Sequence, residues 1–198
     1  MMTVLMKKPR GALFSCAMLV ALLFNISQAN AETPSEDAKQ TVNQLLTLID
    51  ERLAIAPEVA KAKWNSGAPI NAPEREAQIL ERVVAEAASA GVDEALAQTF
   101  FQHQFDASKR VQQRLHDQWQ KTQHPPFDNA PDLANDIRPK LDKLTPQLIG
   151  ALHDFQETAK TPGVGAYLES QSALLVQDDA SGDAREEAVS PLFDVATP

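Results

Sequence analysis

The chain has 198 residues, 43% of them apolar and 23% charged, and a net charge of −9. That is enough chain for one domain with a sizeable core, and an acidic balance excludes nucleic acid as the expected partner, because phosphate binding needs a basic surface. A single cysteine, Cys16, leaves no internal disulfide to staple the fold.

Residues 1–31 read as a cleaved secretory signal peptide. Lys7, Lys8 and Arg10 precede an apolar run from Gly11 to Ile26, and Ala29-Asn30-Ala31 offers small residues at a cleavage site. The run is too short for a comfortable membrane span, so after cleavage no membrane partner is expected. Cys16 is a poor acylation site, since Phe14 is bulky and the apolar run continues past the thiol. The expected destination is the periplasm or the exterior, with a mature chain that is more acidic still and free of thiols.

Residues 32–180 are predicted to form an all-α domain, a bundle of long antiparallel helices. Thr33 reads as an N-cap, with Pro34 in the first turn and Glu36 closing a capping box. Val42, Leu45, Leu46, Ile49, Leu53, Ala56, Ala60 and Trp64 then recur at helical spacing to about Asn65, with Pro57 bending the axis. After the turn cluster Asn65-Ser66-Gly67-Ala68-Pro69, Asn71 is expected to cap a second helix, about 72–90, that stops at Gly91. Asp93 caps a third, through Phe100, Phe101, Val111 and Trp119 to about Gln120. The proline-rich stretch 124–131 is the longest internal loop. A fourth helix follows through Ile137, Leu144, Leu148 and Leu152, and a short one near 165–176. Residues 181–198, acidic and rich in small side chains, are predicted to be a disordered tail.

The chemistry is narrowed by what is missing. His103, His116, His124 and His153 show no metal-type pairing, Gly163-Val164-Gly165 lacks the third glycine of a phosphate cradle, and no Ser-His-Asp triad can be placed. No metal and no cofactor is therefore expected. What remains is cationic and amide side chains on helices. Arg52 and Lys63 are eleven residues apart, which on one continuous helix puts both on the same face, about 16 Å apart along the axis. That span suits a small dianion. Arg75 and Glu76 open the second helix, Ser108 and Gln112 lie one turn apart on the third, and Arg138 follows the long loop.

In order and spacing, Glu51-Arg52, Lys61-Ala62-Lys63, Pro69-Ile70, Arg75-Glu76, Ser108 and Gln112 resemble the all-helical chorismate mutases, over roughly residues 40 to 145. Arg138 resembles an arginine that the secreted branch takes from a later helix, which implies a site completed within one chain. The resemblance implies chorismate as substrate, its Claisen rearrangement to prephenate on the way to aromatic amino acids, no cofactor, and a homodimer. It also implies roles. Arg52 and Arg138 clamp the carboxylates, Arg75 orders the pocket, and Ser108 touches a carboxylate. Lys63 and Gln112 donate to the ether oxygen, and Glu76 accepts from the ring hydroxyl. Some relatives carry glutamate at the position of Gln112, which must be protonated to donate; glutamine donates at any pH. One departure from the family is Ala72, where some relatives carry an aspartate, leaving Glu76 to meet the hydroxyl alone. The rival reading is a non-catalytic exported helical bundle whose arginines are surface charges.

Overall fold

A computed structural model describes residues 33–196; the expected signal peptide lies outside them. Seven α-helices follow one another: α1 Glu36–Leu53, α2 Ala56–Ser66, α3 Pro73–Ser89, α4 Glu94–Lys121, α5 Arg138–Thr158, α6 Val164–Leu175 and α7 Asp183–Ala196, with a π-helical turn Leu133–Ile137 leading into α5. No strand occurs among the described residues. The longest helix, α4, packs mainly against α7, α2 and α3, whereas α1 packs against α5 and α6.

The spacing expected of the first helix is the spacing that is buried. Val42, Leu45, Leu46 and Ile49 are fully inaccessible and meet Phe100, Phe155, Leu148 and Leu152 in one continuous core. Each such side chain contributes about 1.5–3 kcal/mol by leaving water. Two details differ. The N-cap is Ser35 rather than Thr33, its Oγ accepting from the Ala38 N–H at 3.2 Å. And the helix does not merely bend at Pro57: it ends at Leu53 and restarts at Ala56. Pro57 has no N–H to continue the ladder and its ring crowds the carbonyl four residues back, so it sits where a proline is tolerated, in the first turn of a new helix.

Asp93 caps α4 as expected, accepting from the Leu96 N–H at 2.9 Å, and Gly91 takes the left-handed conformation that ends α3, at φ 88°. Asn71 does not cap α3. The cap position is Ala72, which has no side-chain acceptor; instead Glu76 folds back so that its Oε1 accepts from the Ala72 N–H at 3.2 Å. The long loop is pinned near α2 by Asn65, which donates to the Phe127 carbonyl and accepts from the Phe127 N–H, both at 2.8 Å. Around that pin Trp64, His116, Trp119 and Phe127 cluster with centroids 4.7–5.6 Å apart, edge to face except for the tilted His116–Trp119 pair.

The largest correction concerns the C-terminal segment. From Asp183 it is helix, not a disordered tail. Ala184, Ala188, Leu192 and Ala196, four apart, are buried with Val189 against the body of the domain. Small side chains lower the segment's hydropathy but let α7 approach closely. The Asp178 carboxylate receives the Ala184 and Arg185 N–H groups at 2.8 and 3.0 Å and the Arg114 guanidinium at 2.9 Å. Burial works to raise this carboxyl, but those donors outweigh it and hold it below the usual carboxylate range.

Candidate functional site

Helix α4 carries two stripes of polar side chains. One, through residues 103, 110 and 114, faces α7; the other, through 108, 109 and 112, lies on the side where Glu76 of α3 pairs with Lys109 and, a turn earlier at Phe105, Arg52 of α1 meets the helix. Arg52 ends α1, where the negative end of the helix dipole favours a cation. Its Nη1 donates to the Gln104 carbonyl at 3.1 Å, and the guanidinium lies 5.4 Å from the centroid of the Phe105 ring. Among the described residues no carboxylate pairs with it. Burial lowers its pKa from 12.5 to about 10, so a half-buried, partly dehydrated charge stands here with no anion beside it.

Lys63 occupies the equivalent place at the end of α2. Its Nζ donates to the Ile70 carbonyl at 2.9 Å, using one of three N–H groups. Burial is the main cause that lowers its pKa below the usual 10.5; Glu76 opposes the shift and Lys109 adds to it. Gln112 is buried, and its Nε2 donates to the Ser108 Oγ at 3.0 Å. Its Oε1 is buried without a hydrogen-bond partner. Exchanging the amide oxygen and nitrogen, which are alike in shape, lets the Ser108 hydroxyl donate to the oxygen and turns a free N–H toward the unfilled position.

Arg52 thus reaches α4 at residues 104 and 105, Glu76 reaches it at Lys109, Ser108 and Gln112 bond each other within it, and Lys63 lies within electrostatic reach of Glu76 and Lys109. Arg75 and Arg138 are exposed, and among the described residues neither pairs with another group. Two open hollows lie elsewhere on the described residues. One, of about 690 Å³, is bounded by Arg110, Arg114, Lys121 and Asp183 among others; the other, of about 500 Å³, by Glu58, Lys61, Asn135 and Lys140 among others. Neither is lined by any of the seven candidate residues.

Two residues at this stripe escaped the sequence reading. Gln104 is buried; its carbonyl accepts from Arg52 while its Nε2 donates to the Ala188 carbonyl of α7 at 2.8 Å. Lys109 bridges α3 and α4, with its Nζ 2.8 Å from Glu76 Oε2 and 2.7 Å from Asp106 Oδ1. The only signal in the sequence was adjacency: Lys109 follows Ser108 and stands one turn after Asp106.

The family described as chorismate mutase type II matches residues 40–113, a span that holds six of the seven candidate residues and leaves out Arg138. A secreted chorismate mutase of Mycolicibacterium smegmatis is 31% identical over 124 residues, covering 61% of this chain and 67% of that protein. Another secreted chorismate mutase, from Yersinia pestis, is 25% identical over 126 residues, covering 64% and 67% respectively. Among solved structures, chorismate mutase from Burkholderia thailandensis superimposes with a TM-score of 0.71 at 39% identity, covering 77% of this chain and 99% of that one.

Proposed function

The chain belongs to the type II chorismate mutase family, and from that premise we propose that it rearranges chorismate to prephenate at the α4 stripe that gathers Arg52, Lys63, Glu76, Ser108 and Gln112. The observation that carries this reading is Arg52: a half-buried guanidinium with an aromatic ring and a backbone carbonyl for neighbours and no carboxylate. A substrate carboxylate supplies the missing partner through two parallel hydrogen bonds.

The reaction is unimolecular, so the protein needs no nucleophile. It must hold a flexible dianion in the chair-like conformer in which the forming carbon–carbon bond is short, and stabilise charge as the ether bond breaks. Arg52 fixes one carboxylate. Lys63, with two N–H groups left after Ile70, and the Gln112 amide donate to the ether oxygen, which becomes more negative in the transition state. Fixed donors of this kind are each worth about 3–4 kcal/mol when the site excludes water. Glu76 accepts from the ring hydroxyl and Ser108 reaches a carboxylate. Arg75 and Arg138 act by turning in from solvent when the dianion arrives, Arg138 on the second carboxylate.

Export and pairing belong to the same reading. The signal-like residues 1–31 and the secreted relatives support release from the cytoplasm, and the protein is proposed to act as a homodimer, which light scattering on the mature chain would test. The decisive experiment is to mix that chain with chorismate and no cofactor. Loss of chorismate absorbance with appearance of prephenate is expected; an unchanged spectrum from folded protein would leave a helical binding module instead.

A further inference from the structure

The first turn of α3 has an incomplete cap. Ala72 offers no side-chain acceptor, and Glu76 supplies half of what is missing by receiving the Ala72 N–H on Oε1. Its other oxygen, Oε2, is held from a different helix by Lys109 at 2.8 Å. Lys109 is itself fixed. Its Nζ also pairs with Asp106 Oδ1 at 2.7 Å, and the Asp106 carboxylate receives the Gln102 amide at 3.2–3.3 Å. The two central side chains are about one-fifth exposed, 22% for Lys109 and 21% for Glu76. Beside them, Lys63 is tied to Ile70, two residues before Ala72, so both functional side chains anchor the same short linker between α2 and α3.

A carboxylate in a site for a dianion is an electrostatic liability unless a cation offsets it. We propose that Lys109 is a positioning residue for the rearrangement: it fixes Glu76 over the start of α3 and cancels its charge, so that the carboxylate can accept from the substrate's ring hydroxyl without repelling its carboxylates. The proposal rests on the chorismate reading above. Asp106 completes the device by offsetting Lys109 in turn, which limits the penalty that a second ammonium imposes on Lys63. The lowered pKa of Lys63, to which Lys109 contributes, agrees with this closeness, and the raised pKa of Lys109 agrees with its two carboxylates outweighing its burial.

The test is steady-state kinetics on the full mature protein with Lys109→Met and Lys109→Arg, circular dichroism checking each fold. Lys109→Met is expected to raise KM for chorismate about tenfold while kcat falls less than threefold, and to move the alkaline limb of the rate profile upward as Lys63 loses a like charge. Lys109→Arg should restore most of the loss. A competitive dianionic inhibitor that resembles chorismate but lacks the ring hydroxyl should also bind Lys109→Met more weakly, but by less than KM rises, because it meets the uncancelled Glu76 charge without needing the hydroxyl contact. An unmoved KM and pH limb in Lys109→Met would overturn the proposal and reduce the ion pairs to surface ornament, as would a loss of rate that tracks a loss of folded protein and that arginine does not rescue. If wild type itself leaves chorismate unchanged, the chorismate reading fails and this inference with it; if wild type is active and Lys109→Met matches it, this inference alone fails.

Discussion

The two polar stripes of α4 carry similar side chains and differ in what they are given to bind. Toward α7 the arginines find anions: Arg110 pairs with Glu187 and Arg114 with Asp178 and Asp179, while the His103 ring lies 2.9 Å from Glu187. Toward α1 and α2, Arg52 and Lys63 are given backbone carbonyls and no direct ion pair, and Gln112 keeps a buried oxygen unpaired. The contrast sets Arg52, Lys63 and Gln112 apart without reference to any relative, while the Lys109–Glu76 pair on the same side is satisfied within the chain. Charges that a fold has satisfied hold helices together; buried polar groups that it has left unsatisfied await something that is not part of the chain.

If the contrast is sound, changes on the two stripes must have different signatures. The largest effect is expected at Lys63. Lys63→Ala should lower kcat about 10²–10³-fold with helical circular dichroism unchanged, and a loss under tenfold would remove this lysine from the chemistry. Next comes Gln112→Glu, whose rate should fall about tenfold per pH unit above the pKa of the new carboxyl, because only its protonated form donates. Wild type, by contrast, should be flat across neutral pH and decline only on the alkaline side, where Lys63 gives up its proton below the usual 10.5. The stability linkage of Lys63 runs the other way. Its pKa is lowered by folding, so between that value and 10.5 the unfolded chain binds more protons, and this group's contribution to stability rises with pH while activity falls.

On the α7 side the expectation is reversed. Asp178→Ala removes the cap of α7 and a partner of Arg114, and should cost about 1–3 kcal/mol in denaturant unfolding while kcat/KM of the folded enzyme stays within about twofold. Least of all should come from Lys140→Ala. Its pairing with Glu58 is 2.6 Å long but half exposed, and such pairs contribute about 0–1 kcal/mol. Should Lys140→Ala outrank Asp178→Ala in a urea titration, the argument from satisfaction of charge would be wrong.

The helices were legible because apolar periodicity is a local signal: Val42 to Ile49 and Phe100 to Val111 announce their buried face within two or three turns. The Ser108 and Gln112 pair was legible for the same reason, being one turn apart. Pairings across helices were not. Glu76 and Lys109 are separated by 33 residues, and Gln104 reaches Ala188 across 84, so nothing local marks them. The segment from Asp183 differs from the expectation because alanine at three of the four buried positions spaced four apart, Ala184, Ala188 and Ala196, lowers its hydropathy while improving the fit of one helix against another. The break at Ala54–Ile55 was half legible. Pro57 disclosed an interruption, but whether a proline bends a helix or starts a new one depends on the packing around it.

That break turns the eleven-residue interval between Arg52 and Lys63 into a constraint on chain length rather than on composition. Each of the two cations ends its own helix, and inserting or deleting one residue between Ala56 and Lys63 would rotate the ammonium about 100° around α2, off the face from which it reaches the Ile70 carbonyl. Descendants of this chain are therefore free to change the exposed side chains in that interval so long as the number of residues stays the same, while Leu53, Ile55, Val59 and Ala60 are held by their burial.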